Sequence, residues 1–168
     1  LQHRDIKDEI LATWSSILDT AGFIGGRHVD QFEEDLARFV GTSCAVGVAN
    51  GTDAIMLALR GLGLGDGDEV ITAANTFFAT VEAIEHAGGV PVLVDVDPVT
   101  ATIDPNAIEE AITPRTRFIV PVHLYGQPAD MDAIMAIADY HDLLVVEDNA
   151  QAIGAVYRGR RTGSIGHA

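Results

Sequence analysis

Residues 50–53, with the sequence Asn-Gly-Thr-Asp, could form an anion-binding turn. They stand between a short apolar run and a helical pattern, so the turn would open a helix. The free amides of a helix start attract anions, the hydroxyl of Thr52 adds a donor, and Gly51 lets the backbone approach a ligand closely. A second interpretation gives Thr52 or Asp53 only the role of a helix N-cap. The turn by itself leaves both interpretations open.

A second group with possible chemistry is Glu-Asp-Asn-Ala-Gln at 147–151, directly after an apolar run. The carboxylate of Asp148 could ligate a metal, cap a loop or pair with a buried cation. The six histidines show no close paired ligand spacing with acids or with cysteine, which argues against a metal site. A buried pyridinium nitrogen is a cation that requires an acidic partner. Gln151 can both donate and accept, so it could orient a phenolate oxygen or a substrate group.

Aromatic and acid–base candidates follow two other apolar runs. Core packing is the expected fate of either Phe77 or Phe78, although one of the two rings could stack on a flat ligand. His123 and Tyr125 could exchange protons with a substrate. We expect instead that these two residues hold their loop in place by hydrogen bonds.

Short β-branched runs alternate with helical patterns along the chain, which predicts βαβ units. The strands read as continuous apolar runs, so we predict an α/β fold whose mostly parallel sheet is covered by helices on both faces. Ligands of such sheets bind at the carboxyl ends of the strands, where the candidates above lie. The predicted strands are 44–49, 69–73, 90–94, 117–122, 143–147 and a short one at 155–157. The predicted helices are 4–19, 29–40, 53–60, 80–86, 104–112 and 130–140.

The composition excludes several classes of protein. Ten basic and 25 acidic residues give a net charge of −15, so we expect neither a nucleic-acid nor an anionic-membrane partner. Arg158, Arg160 and Arg161 form the one local basic patch. With 48% hydrophobic residues the chain is not disordered, and no apolar run approaches the roughly 20 residues of a membrane span. The single cysteine, Cys44, allows no disulfide within the chain and fits a reducing cytoplasm.

Nucleotide-binding glycine motifs are absent. The sequence contains no P-loop pattern. Glycines alternate with other residues over 61–67, but they follow a helix and precede a strand, which is the wrong order for a dinucleotide fingerprint. We interpret this stretch as a helix end with a turn.

Six motifs, in this order, resemble the DegT/DnrJ/EryC1/StrS family of sugar aminotransferases, which use pyridoxal phosphate (PLP) and have the aspartate aminotransferase fold. The motifs are NGTDA (50–54), GDEVI (67–71), ANTF (74–77), VDVD (94–97), PVHLYGQ (121–127) and EDNAQA (147–152). The resemblance implies that residues 1–168 form an N-terminal segment plus most of the PLP-binding large domain. It also implies that this domain is incomplete at its C-terminus and lacks the small domain.

The resemblance assigns cofactor-binding roles to residues of these motifs. Gly51, Thr52 and Asp53 match the turn that binds the PLP phosphate. Phe77 matches the aromatic residue that stacks on the ring. The remaining matches surround the ring: Asp148 as the acid paired to the pyridine nitrogen, Ala150 against the ring face, and Gln151 near the ring oxygen or the substrate.

The reaction also needs a lysine that forms a Schiff base with PLP and then moves the proton. The only lysine is Lys7, in an N-terminal amphipathic pattern, and we interpret it as a surface charge. In the family this lysine lies a short way beyond the segment that here ends at Ala168. We therefore expect no catalytic residue within these 168 residues and predict that the chain alone is inactive.

The function that the resemblance implies is transfer of an amino group from glutamate to a nucleotide-linked keto-sugar, in amino-sugar, polysaccharide or antibiotic-sugar biosynthesis. The alternatives are a PLP-dependent sugar dehydratase, since some relatives carry histidine in place of the lysine, and a non-catalytic regulatory protein of the same fold. The resemblance further implies a homodimer with its site at the subunit interface. We expect a cytoplasmic location and no metal.

Overall fold

The computed structural model of the protein describes residues 2–168. The predicted domain was given as residues 1–168, so its first residue, Leu1, lies outside the described residues. The helices are α1 (Gln2–Asp5), α2 (Lys7–Thr20), α3 (Arg27–Val40), α4 (Gly51–Gly61), α5 (Phe78–His86), α6 (Pro105–Ala111) and α7 (Met131–His141). The strands are β1 (Glu69–Ala73), β2 (Val90–Val94), β3 (Thr116–Val120), β4 (Leu144–Val145), β5 (Val156–Tyr157) and β6 (Arg160–Arg161). A short 3-10 helix spans Leu124–Gly126.

The first four strands form one parallel sheet in the order β2-β1-β3-β4, and β5 pairs antiparallel with β6. All five residues of the inner strand β1 are buried. The outer strand β2 exposes Val90 and Leu93, so the expectation that each strand is fully buried is wrong there. The parallel sheet of the predicted α/β fold is confirmed.

Apolar side chains pack on both faces of this sheet. Val70 joins a cluster with Leu59 of α4 and Ile84 of α5, whereas its neighbour Ile71 joins a second cluster with side chains of α6 and α7, among them Ile134. Successive residues of a strand point to opposite faces, so one strand supplies both clusters. The predicted helical cover on both faces is thereby confirmed.

Residues 44–49 form no strand, contrary to the prediction. This stretch is irregular, Val46 is 77% exposed, and the Gly47 amide donates to the side chain of Glu33 at 2.6 Å. An apolar run becomes a strand only where a neighbouring backbone accepts and donates its hydrogen bonds. Within residues 2–168 no strand pairs with it.

The predicted strands 117–122 and 143–147 are shorter in the structure. Regular pairing of β3 with β4 covers Phe118↔Leu144 and Ile119↔Val145, and beyond it only an isolated bridge joins Val122 to Asp148. The two backbones therefore stay close past the end of the regular sheet. This local irregularity occurs where the candidate residues begin.

The N-terminal amphipathic pattern forms two helices, α1 and α2, separated at Ile6, rather than one. None of the residues of α2 is buried, and Trp14 and Leu18 on its apolar face are more than half exposed. Across residues 2–168, no helix is long and apolar enough to cross a membrane.

Candidate active site at the carboxyl edge of the sheet

The candidate residues meet at one edge of the sheet because of the chain topology. Helix α4 leads into β1 and α5 follows it, so the first turns of both helices lie at the edge where the parallel strands end. Residues 147–151 follow β4 at the same edge. The fold thus places the turn at 50–53, the aromatic pair and Asp148 on one side of the molecule.

Asn50, rather than Thr52 or Asp53, is the N-cap of α4. Its Oδ1 accepts the backbone N–H of Asp53 at 2.9 Å, and its Nδ2 donates to the Asp53 carboxylate at 3.0 Å. The N-cap interpretation of Thr52 and Asp53 is therefore wrong, because the helix begins two residues earlier than predicted. The amides of Gly51 and Thr52 remain among the first-turn donors without a partner in the preceding turn.

Open space lies beside this turn. A Cβ atom added to Gly51 would meet no atom within 4 Å. The positive end of the α4 dipole and the first-turn amides therefore lie beside space that a ligand can enter.

Asp148 is held from both its backbone and its side chain. Its N–H donates to the Pro121 carbonyl at 2.9 Å, and its carbonyl accepts the His123 N–H at 3.1 Å. In its side chain, Oδ1 accepts the Ala150 amide at 3.2 Å and Oδ2 accepts the Thr80 hydroxyl at 2.8 Å. The residue is only 8% exposed, so a fixed carboxylate stands at the end of β4 with little water around it.

Both aromatic rings are exposed, Phe77 by 72% and Phe78 by 68%. The expectation that either ring packs in the core is wrong, because Phe77 is the extended residue before α5 and Phe78 is the first residue of that helix. Ala150 and Gln151 are exposed as well. This edge therefore carries exposed aromatic side chains as well as polar groups.

The side-chain amide of Gln151 has a defined orientation. Its Oε1 accepts the backbone N–H of Tyr125 at 2.7 Å. The NH2 group of the same amide is therefore turned away from Tyr125 and can donate to another group. The tyrosine itself contributes through its backbone, in a left-handed conformation with φ 58°, while its ring is exposed.

His123 is fully buried and hydrogen-bonded at both ring nitrogens. Its Nδ1 accepts the Ala129 amide at 3.1 Å, so the ring proton lies on Nε2, which donates to Glu147 at 2.9 Å. Neither nitrogen is left for proton exchange with a substrate. The prediction that His123 holds its loop by hydrogen bonds is confirmed.

Glu147 is the acceptor for four donors, a role that the sequence did not indicate. Besides His123, its carboxylate accepts the amides of Gly163 at 2.9 Å, Ile165 at 2.6 Å and Gly166 at 2.7 Å. Burial raises the pKa of the Glu147 carboxyl, but the four hydrogen bonds together lower it by more. The pKa therefore lies below its ordinary value. The side chain thereby ties the segment 163–166 to the residue next to Asp148.

The arginines of the predicted basic patch are each engaged within the protein. Arg158 forms an ion pair with Asp132, and Arg160 donates to the Ser164 carbonyl at 2.5 Å. The guanidinium of Arg161 lies 4.1 Å from the ring centroid of Phe39. Among the residues that the structure describes, no group of three or more His, Cys, Asp or Glu is arranged to hold a metal ion.

The sequence profile of the DegT/DnrJ/EryC1/StrS aminotransferase family matches residues 4–168. A pleiotropic regulatory protein of Geobacillus stearothermophilus is 50% identical over 99% of this chain, which spans 45% of that protein. The UDP-N-acetyl-3-dehydro-alpha-D-glucosamine 3-aminotransferase of Acidithiobacillus ferrooxidans is 52% identical over 96% of this chain, which spans 44% of it.

The crystal structure of NtdA from Bacillus subtilis with its bound cofactor PMP superimposes on the chain with a TM-score of 0.89. The identity is 46%, over 94% of this chain and 36% of that one. The chain therefore spans less than half the length of these three proteins.

Proposed function

This chain belongs to the DegT/DnrJ/EryC1/StrS aminotransferase family, and on that basis we propose that it forms most of the cofactor-binding domain of a PLP-dependent aminotransferase. The amino group passes from glutamate to a nucleotide-linked keto-sugar. The observation that carries this proposal is the Asp148 carboxylate, fixed by hydrogen bonds at the carboxyl edge of the sheet. A relative that acts on a nucleotide-linked keto-sugar supports the substrate class.

The residues present at this edge fit PLP. The dianionic phosphate matches the start of α4, where the amides of Gly51 and Thr52 and the Thr52 hydroxyl would hold it beside open space. The Asp53 amide, the third donor implied by the family, is already bonded to Asn50. We therefore assign Asp53 the role of a helix-start residue whose side chain and amide fix the turn.

The groups around the ring have separable tasks. The exposed ring of Phe77 would stack on the cofactor, and Ala150 would lie against its face. The free NH2 of Gln151 would orient the ring oxygen or a substrate group. Asp148 would keep the pyridine nitrogen protonated, and the protonated ring supplies an electron sink for the substrate carbanion.

The whole protein is proposed to act in the cytoplasm as a homodimer, with the site at the subunit interface, as other members of the family imply. Two features of the chain support this. Apolar side chains such as Trp14 are exposed along α2, and Cys44 is a free, exposed thiol.

Amine transfer is tested with the longest natural protein that carries this chain. PLP and glutamate should yield one equivalent of 2-oxoglutarate per bound cofactor, and a nucleotide-linked keto-sugar should make that formation catalytic. A nucleotide sugar without a ketone serves as the control and should add nothing. A deoxygenated sugar product without nitrogen would contradict the proposal and favour the sugar dehydratase. Absence of PLP binding would favour the non-catalytic regulatory protein.

The 168-residue chain alone is expected to form no covalent adduct with PLP. Its only lysine, Lys7, is exposed at the first residue of α2. Borohydride reduction of the isolated chain with PLP, followed by mass spectrometry of the peptides, should show no modified lysine beyond the level of the urea-unfolded control. A modification of Lys7 that requires the folded chain would contradict the assignment of the catalytic lysine to another part of the protein.

A further inference from the structure

Thr80 directs its hydroxyl to Asp148, and we propose that it is a positioning residue that sets the plane of the Asp148 carboxylate for the pyridine nitrogen of PLP. This inference rests on the proposed function. It adds to the cofactor-binding residues a side chain that would not itself touch the cofactor. The bond joins α5, which follows β1, to the end of β4, across the intervening strand β3.

The donor direction along this contact follows from hydrogen counting. The Thr80 hydroxyl is 2.8 Å from Asp148 Oδ2, a carboxylate oxygen that can only accept. The Thr76 hydroxyl is also 2.8 Å from the Thr80 hydroxyl. Because a hydroxyl carries one hydrogen and Thr80 gives it to Asp148, Thr76 must be the donor to Thr80. The result is a one-way chain from Thr76 through Thr80 to Asp148.

Threonine in a helix ordinarily bonds to the carbonyl one turn earlier. Thr13 and Thr20 of α2 do so, donating to the carbonyls of Glu9 at 3.0 Å and Ser16 at 2.8 Å. Thr80, the third residue of α5, does not follow this pattern, although it is only 1% exposed. Its hydroxyl instead donates to the carboxylate of Asp148, 68 positions away in the sequence.

The Asp148 carboxylate needs such a donor to have a defined plane. The backbone bonds of Asp148 fix its Cα and Cβ atoms but not the last side-chain torsion, which is broad for a carboxylate. One donor on each oxygen, Ala150 on Oδ1 and Thr80 on Oδ2, fixes that torsion. Each oxygen keeps a further lone pair in a known direction. Without Thr80 only the 3.2 Å contact with the Ala150 amide would remain.

The test reads out the cofactor nitrogen directly. The longest natural protein that carries this chain is loaded with PLP labelled with ¹⁵N in the ring, and the ¹⁵N chemical shift reports how far that nitrogen is protonated. Thr80→Val removes the donor at nearly constant volume and should move the shift toward the unprotonated value. Thr80→Ser retains the hydroxyl and should restore the wild-type shift. Glutamate-dependent amine formation should be about tenfold slower in Thr80→Val alone.

Thr72→Val is the matched control. Thr72 is fully buried and also donates a 2.8 Å hydrogen bond, but to the carbonyl of Val120 rather than to Asp148. It should lose comparable stability and leave the ¹⁵N shift unchanged. Thr76→Val provides a second variant, milder for folding, because the bond from Thr80 to Asp148 survives in it. It should give a shift between those of the wild type and Thr80→Val.

Two outcomes separate the inference from the proposed function. A wild-type shift in Thr80→Val, with PLP bound, overturns the positioning role of Thr80 alone, whatever shift Thr76→Val gives. Equal shifts in Thr72→Val and Thr80→Val overturn it as well, since loss of packing would then explain both. Failure of the wild-type protein to bind PLP, or an unchanged ¹⁵N shift in Asp148→Asn, overturns the proposed function and the inference with it.

Discussion

Replacement of Glu147 by glutamine should lower the free energy of unfolding by about 2–6 kcal/mol, the cost of leaving two buried donors without an acceptor. The side chain has no solvent exposure, and each carboxylate oxygen accepts two donors. Glutamine would turn an NH2 group toward two of those donors, because one of its two terminal atoms cannot accept. Urea unfolding of wild type and variant measures the difference. The amides of Gly163, Ile165 and Gly166 should also exchange faster with solvent.

Glu109→Gln is the control, since Glu109 also contacts a histidine, His141 at 3.3 Å, but with a largely exposed carboxylate. It should change the free energy of unfolding by about 0.5 kcal/mol or less. A loss below about 1 kcal/mol in Glu147→Gln would contradict the four-donor role, because that is the size of a single ordinary hydrogen bond.

The pH dependence of the Glu147 effect has a definite sign. The folded-state pKa of this carboxyl lies below its ordinary value, so its stabilisation is fully present above about pH 5 and is lost as the pH falls through the folded-state pKa. The stability gap between wild type and Glu147→Gln should therefore narrow in acid. Urea titrations at a series of pH values test this, and a gap that widened on acidification would contradict it.

Asp148→Asn should slow the proposed amine transfer by the whole protein about 100-fold or more while PLP remains bound. The asparagine is neutral, so it would no longer support the proton on the pyridine nitrogen. Its geometry also fits poorly, because Thr80 and the Ala150 amide both donate to the present carboxylate, and asparagine has only one accepting atom. Single-turnover absorbance of bound PLP with glutamate gives the rate constant, and equilibrium dialysis gives the affinity.

Asp104→Asn is a suitable control for this substitution. Asp104 is the N-cap of α6, where its Oδ1 accepts the Asn106 amide at 2.9 Å, and asparagine is an equally good N-cap. The same change of charge there should leave the rate constant unaltered. Near-normal turnover in Asp148→Asn would contradict the proposal that Asp148 pairs with the pyridine nitrogen.

The regular elements were predicted well where burial on both sides constrains the sequence. The predicted bounds of β1 match the structure, since a parallel strand between helices must be a continuous apolar run. The bounds of β2 match as well, although this outer strand is partly exposed. Residues 44–49 carry the same pattern and form no strand, because pairing depends on a partner backbone that local sequence does not reveal. The predicted start of α4 was two residues too late, because Asn50, Thr52 and Asp53 are all residue types that favour the N-cap position. Only the three-dimensional structure shows that Asn50 occupies it.

Residue type and order were enough to predict the family, the alternation of strands and helices, and the motifs at the strand ends. Which polar groups contact one another became known from the three-dimensional structure alone. Thr80 reaches Asp148 over 68 positions, and Glu147 gathers donors from residues 123 and 163–166. Such contacts carry no local signal, since hydrogen bonds between distant segments depend on how sheet and helices bring them within 3 Å.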